Sequence, residues 1–515
     1  MKKIYFLLLI MSCMSGAQTF EWVKNPPIIF SSNPSLISYV TTTDNSNNSY
    51  FAGFKDTAFL NSKIFGNVYL QKYNAAGTLL FSNDLLGKVN IVSMVCDNLD
   101  NLIVSASFNT TLVVGTTTIP SLNGSSDDQV ILKFSPTGTL LWYKNLEPLL
   151  SGVEPCKAIT VDSSNNIFIG YDNFFKSYAT KLDSFGVVVL TITQLRVGIL
   201  SSIAVDNLGN IFTAGGCAET NASFAGFSQN PGLIYNSYAT KYDAAGTHQW
   251  TRFVKNITCD FPEIVVKSDN EIYFSGNLHG AYPFGTFTTA GPSSSSAGDF
   301  FITKLNGLGI YQWVREVPGT GGFINVFGGE NKHLALDGLG NIYYCGETRG
   351  SIVWEPTIST ATTANYNDAL IVKYNPNGDV LLAKNIHGSF DCRFNSVNVA
   401  PDGSAYVTGV MNGSPAFDAV SSTGSGYYPV HAKLGAAVLS NIKSDLFSLQ
   451  ILPNPANDFI QFSSNNENLK GTIYNTLGQA VKQFETDNKI DIRELNSGVY
   501  LLQLSDNRVF RVVKE

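Results

Sequence analysis

Residues Val205–Gly215 read VDNLGNIFTAG, and Ser237–Thr251 read SYATKYDAAGTHQWT. In the first phrase an apolar strand runs into Asp206, turns, and leaves through a second strand that ends at Gly215. The second phrase carries Lys241 into a turn at Asp243–Gly246 and leaves through Trp250. Asp and Asn bond their own backbone in turns, and Gly adopts positive φ without a steric penalty, so each phrase reads as a hairpin. The first recurs as VTTTDNSNNSYFAG, VCDNLDNLIVSA, VDSSNNIFIG, VKSDNEIYFSG, LDGLGNIYYCG and VAPDGSAYVTG. The second recurs as VYLQKYNAAGTLLFS, QVILKFSPTGTLLWY, SYATKLDSFGVVVLT, FFITKLNGLGIYQWV, ALIVKYNPNGDVLLA and a curtailed PVHAKLGAAV. The lysines of the second phrase (Lys72, Lys133, Lys181, Lys241, Lys304, Lys373 and Lys433) set a period of about sixty residues. Four short strands per period, termed a to d, predict the blades of a β-propeller.

The sequence holds seven first hairpins but only six complete second ones, because the expected Gly and closing strand after Lys433 dissolve into GAAVLSNIK. The missing strand stands at the other end of the chain: QTFEWVKNPP (Gln18–Pro27) places Trp22 where Trp142, Trp250 and Trp313 stand in other units. Pairing the first strand with the last three removes two sheet edges. The expected fold is therefore all-β, a seven-bladed β-propeller closed by the N-terminal strand over 18–440. The phrases resemble the bacterial propeller repeat known as SBBP, whose Asp-x-x-Gly-Asn-aromatic, Lys-Leu/Tyr, then Gly and Trp pattern recurs across most of 18–440. That resemblance implies a propeller and little about activity.

The vocabulary changes at FSLQILPNPANDFIQFSS, and about 70 residues of strand-rich sequence follow, enough for a small C-terminal β-sandwich over 447–515. Pro453-Asn454-Pro455-Ala456, then Tyr474-Asn475-x-Leu477-Gly478-Gln479, then Leu495-x-Ser497-Gly498-x-Tyr500-Leu501 resemble the type A C-terminal sorting domain of the Bacteroidetes type IX secretion system. The resemblance implies that the type IX machinery is a partner and that the protein is secreted or held on the outer cell surface. The leader MKKIYFLLLIMSCMSGAQ has two lysines, an apolar run and small residues placed for cleavage after Ala17, which predicts a signal peptide over 1–17. Beyond it no run reaches the roughly 20 apolar residues that span a bilayer, so the mature chain is expected to have no transmembrane segment.

Of 515 residues 44% are apolar, ample for a buried core, and the 45 glycines, 23 tyrosines and 34 phenylalanines occur without a period-3.6 pattern. Only 14% are charged, with a formal balance of −7; that balance lacks the basic field that phosphate backbones require, and no nucleic-acid partner is expected.

The five histidines share no repeat phase, and neither HExxH nor GxSxG occurs, so no catalytic residue, metal ligand or cofactor is assigned. Paired carboxylates for glycoside cleavage stay open as an alternative. Turns such as Asp206-Asn207-x-x-Asn210 could hold Ca²⁺, but one or two charged ligands per turn favour a structural role. The seven lysines could present a cationic ring to an anionic glycan. Asp128, Asp299 and Asp368, five residues before Lys133, Lys304 and Lys373, suggest instead local pairing or a solvated row. Six cysteines follow the leader, and their placement suggests disulfides Cys96–Cys156, Cys217–Cys259 and Cys345–Cys392, with buried free thiols as the competing reading. The b–c loops are long, and long loops on a rigid scaffold are where recognition concentrates. Trp354 lies in one of them without a repeat counterpart, and Tyr282, Phe284 and Tyr366 lie in the same class of loop. These four are the expected ligand contacts; the alternative is a loop folding its own aromatics inward. The leading expectation is a non-catalytic module that binds a glycan or protein. The alternatives are a polysaccharide-processing enzyme and a structural surface protein.

Overall fold

A computed structural model describes residues 18–26, 37, 39–60, 63–124, 127–149, 154–173, 175–255, 261–292, 298–318, 325–328, 331–362, 366–436, 451–462, 469–476, 479–486, 489–504 and 509–515. The expected leader, the connection before Phe447 and Cys259 lie outside them. The chain is all-β, with no α-helix among the described residues. It forms two compact units, Gln18–Ala437 and Val438–Glu515.

In the larger unit the repeat becomes antiparallel sheets in the order a-b-c-d. Ile199–Val205, Ile211–Cys217, Asn236–Tyr242 and His248–Lys255 make one such sheet; Glu263–Ser268, Glu271–Leu278, Asp299–Leu305 and Tyr311–Arg315 make the next. Ala158–Val161 to Val188–Leu195 and Leu334–Leu336 to Val380–Ile386 follow the same scheme. Between the first two units the expected break is absent. Leu79–Cys96 is one 18-residue strand that serves as d of the first unit and a of the second, so the two merge into a nine-stranded sheet. At the end of the series, Arg393–Val399, Ala405–Asn412 and Tyr427–Leu434 take Phe20–Lys24 as their fourth strand. Trp22 stands opposite Lys433 across a bulge, the register that Trp142, Trp250 and Trp313 take opposite Lys133, Lys241 and Lys304. The a strands neighbour one another in chain order, and Arg393–Val399 also neighbours Val40–Thr43.

Strands b and c are covered on both faces, which is why IFTAGGC and NSYATKY are buried at every position. The repeated Lys and Trp then join one sheet to the next. Lys133 Nζ and Trp142 Nε1 both donate to Ser184 O, at 3.1 and 3.2 Å; Lys304 and Trp313 both donate to Pro376 O, at 3.3 and 3.2 Å. Trp250 and Lys241 do the same at Gly307 O. In each case the acceptor is the second residue of the next unit's c–d turn. Lys433 and Trp22 donate to Ala75 O, both at 3.1 Å, and so bond the last sheet to the first. Where the seventh c–d turn would be, the Gln18 side chain replaces it: its Oε1 accepts from Lys373 and its Nε2 donates to Gly435 O. The turn glycine must have positive φ and no Cβ, because at Gly309 (φ 71°) a Cβ would lie 2.7 Å from the Trp250 ring.

The lysine heads also pair with carboxylates, but not with the Asp five residues earlier. Lys72 bonds Asp44 and Lys133 bonds Asp97, both at 2.9 Å and buried, and Lys373 reaches Asp337 at 3.4 Å. Five residues along a strand is roughly 16 Å and the opposite face, so Asp128, Asp299 and Asp368 cannot meet those lysines. They anchor the opposite ends of the sheets instead: Asp128 accepts from Leu122 N and Asn145, Asp299 from Val317 N, Asp368 from Asn385 and His387. The a–b turns are held by their own Asp: Asp206 Oδ1 accepts from Leu208 N and Asn210 N, and its Oδ2 from Asn210 Nδ2.

In the smaller unit, a three-stranded sheet (Ile451–Leu452, Phe459–Phe462, Lys489–Asp491) and a four-stranded sheet (Leu469–Tyr474, Ala480–Thr486, Gly498–Leu504, Val509–Lys514) share a core that includes Ile460, Ile473, Ile490 and Leu502. Asn454 is fixed by Arg511 O and Val513 N, and Asn475 accepts from Gln479 N.

Candidate functional site

The a strands of all seven units line a cavity of about 220 Å³. Its wall is rich in small polar side chains, Thr41, Ser93, Thr160, Ser201, Ser202 and Ser396 among them. One end of it breaks the repeat. Lys157, Ser201, Glu263 and Lys332 stand five residues before Asp162, Asp206, Ser268 and Asp337, the first residues of the a–b turns. The corresponding residues elsewhere are Tyr39, Val92 and Asn395. Charged groups therefore occupy three of these positions, at the end of the cavity away from the a–b turns.

Glu263 is buried. Its Oε2 accepts the backbone N–H of His333 at 2.7 Å and of Leu334 at 2.8 Å, and lies 3.3 Å from His333 Nδ1. Burial pushes its carboxyl up to about 7, against the pull of Lys332 and of the two N–H donors. Burial likewise pushes the Lys332 ammonium below the usual lysine value, opposed by Glu263. Lys157 Nζ lies 3.0 Å from the ring centroid of Phe261, which also lines the cavity. All seven lysines of the repeat have carboxylate partners within 4 Å. Lys332 has none among the described residues. Ser396 Oγ, on the same wall, is buried with no hydrogen-bond partner. The arrangement offers a cation, a carboxyl able to exchange a proton near neutral pH, an aromatic face and several hydroxyls in a space smaller than the roughly 300–1,000 Å³ of drug-sized pockets.

The four aromatics expected from sequence are not brought together. Trp354, 5% exposed, lies in the hairpin Ser351–Glu355/Ile358–Ala361, donates to Thr360 Oγ1 at 2.9 Å and joins the core with Phe300. Phe284 is fully buried against Phe301 and Tyr311, and Tyr282 is half-buried on the same cluster. The long b–c loops fold into small hairpins with apolar inner faces, so their aromatics cover the sheets beneath. Tyr366 alone is exposed, 36%, in edge-to-face contact with Phe390, itself 47% exposed. The disulfides are corrected as well. Cys96, Cys156, Cys217, Cys345 and Cys392 are free thiols, and Cys156 and Cys217 donate to the carbonyls of Gly170 and Arg196. Cys156 and Cys345 pack as small apolar residues in clusters shared between neighbouring sheets, with Ile103 and Ile131 and with Phe394 and Val407. Sequence reasoning passed over Glu263 and Lys332. Their signal was a charge at the head of an apolar inner strand, visible only once the units are aligned on their turns.

Residues 450–514 match the family described as the secretion system C-terminal sorting domain. This domain marks proteins exported by type IX secretion to the cell surface or extracellular space. The chain is 23% identical over 432 residues to an uncharacterized WD repeat-containing protein of Acanthamoeba polyphaga mimivirus, covering 72% of this chain and 30% of that protein's length. Among solved structures it is similar to the propeller of Dos1 (TM-score 0.40, 9% identity, 82% of this chain and 96% of that one). It is also similar to a catalytically inactive virginiamycin B lyase from Staphylococcus aureus with quinupristin (0.39, 7%, 80% and 98%) and to a polysaccharide lyase described as an ulvan lyase (0.37, 9%, 76% and 92%). No helix among the described residues is long and apolar enough to cross a membrane.

Proposed function

We propose that residues 18–440 are a seven-bladed propeller of SBBP-type repeats closed by its N-terminal strand, and that residues 447–515 are a small sandwich recognised by the type IX machinery. The exported propeller acts as a non-catalytic module that binds a glycan or protein. The ring of a strands, the Trp22 and Lys433 bonds to Ala75 and the Gln18 substitution for a turn support closure. Binding rests on one contrast. The repeated lysines and tryptophans serve sheet-to-sheet bonding, whereas Lys332 faces a cavity and has no ion-pair partner among the described residues. The recognition face is the one bearing the d–a and b–c connections, where Tyr366 and Phe390 add a surface aromatic pair.

A glycan array and a pull-down with the purified exported chain test this reading: reproducible capture of one ligand class is the expected result, and capture of none by either route overturns it. A second reading, polysaccharide processing, is favoured by the Glu263 carboxyl at about 7, near the working range of a general acid. It predicts release of reducing ends that Glu263→Gln abolishes.

A further inference from the structure

Resting on the binding reading, we infer that the cavity end at Lys332 takes the carboxylate of a single uronic acid residue belonging to an acidic glycan. Lys332 lines the cavity as a half-buried cation whose ammonium has no hydrogen bond or ion pair among the described residues, and an ammonium leaving water needs an anion or several acceptors. Glu263 does not neutralise it at contact distance, because that carboxyl is turned onto the His333 and Leu334 N–H groups. Lys157, three units away around the wall, adds a second positive charge to the lining of the same cavity. The neutral surroundings select the rest of the ligand. Thr160 and the unpartnered Ser396 Oγ offer donors and acceptors to sugar hydroxyls, while Ser201 Oγ and Asn331 Oδ1, whose donors are directed to Pro262 O and Tyr39 O, offer acceptors. About 220 Å³ admits one ring-sized group, which makes this a subsite for one residue or a chain end, not a groove for a polymer. An acidic peptide side chain shares the carboxylate but would leave the hydroxyl-matching wall unpaired, and it is the competitor to exclude.

The test uses the full-length chain and calorimetric titration with D-glucuronate, D-glucose and an Asp/Glu-rich peptide, on wild type, Lys332→Met and Lys332→Arg, each first shown to melt as wild type does. Glucuronate should bind at least tenfold more tightly than glucose. Lys332→Met should lose that margin, and Lys332→Arg should restore part of it. A Lys332→Met variant that fails to fold is replaced by Lys332→Gln and by the salt dependence of wild-type binding, which should weaken as salt rises. Equal affinity for glucuronate and glucose, retention of the margin in Lys332→Met, or preference for the peptide overturns the inference. An array hit that survives Lys332→Met refutes this subsite while the broader binding reading stands; no hit of any kind refutes both.

Discussion

Replacing Trp22 with Ala tests whether the N-terminal strand is integral to the larger unit. Trp22 is 8% exposed, as Trp313 is, and Trp250 is 7% exposed; all three donate Nε1 to the c–d turn of the neighbouring sheet. Deleting so large a buried side chain costs about 3–5 kcal/mol. The lost hydrogen bond accounts for about 0.5–1.5 kcal/mol of this, which Trp22→Phe should isolate. Burial and the kind of partner are the same at the two positions, so Trp22→Ala should match Trp250→Ala within about 1 kcal/mol. For a unit of this size a loss of about 3–5 kcal/mol is roughly a 3–6 °C fall in melting temperature. Guanidinium unfolding followed by far-UV dichroism, with calorimetry for the melting point, measures both. If Trp22→Ala costs less than about 0.5 kcal/mol while Trp250→Ala costs several, the strand is peripheral and the closure argument fails.

Glu263 has an ordinary value of 4.5 and sits at about 7 in the fold, so between these pH values the unfolded chain has lost a proton that the folded chain keeps. Stability should fall as pH rises through that window, by on the order of 3 kcal/mol, and Glu263→Gln should flatten the fall in melts at pH 5 to 8; an unchanged slope would assign it elsewhere, for instance to Asp299, which burial also raises to about 7. The free thiols predict that Cys156, Cys345 and Cys392 resist alkylation in the native state, react fully in denaturant without reductant, and that dithiothreitol leaves the melting point unmoved; a mass two units lower per pair before reduction would restore the disulfides. Trp354→Ala should lower stability by about 3–5 kcal/mol, as for a core residue, and a variant as stable as wild type would contradict its place with Phe300. Removal of Phe447–Glu515 should leave the remaining chain folded in the periplasm, and its appearance in the medium at wild-type levels would separate export from the sorting domain.

The repeat was legible because its determinants are local. A turn at Asp206 depends on atoms within four residues, so aligned turns disclosed the period, the strand order and the place of Trp22 from the chain alone. The export address was legible for a similar reason, since Asn475 and Tyr500 stand in short phrases and bond groups four residues away, although Asn454 is held by Arg511 and Val513 from the far end of the domain. What the repeated Lys and Trp do was not legible, because their acceptor is a backbone carbonyl 42 to 72 residues away, or 358 for Lys433, and carbonyls carry no side-chain signature. Trp354 lacked a repeat counterpart and so stood out as a ligand contact; only packing showed that its hairpin closes over Phe300. Cysteine spacing admitted bridges that the separate sheets do not form. Glu263 and Lys332 illustrate the remaining division. Each is a single charge at the head of an apolar strand, and the cavity between them exists only when seven inner strands converge. The chain alone determined strands, turns and destination through contacts a few residues long, whereas tertiary structure decided which side chains share one desolvated space, because that depends on contacts between residues remote in sequence.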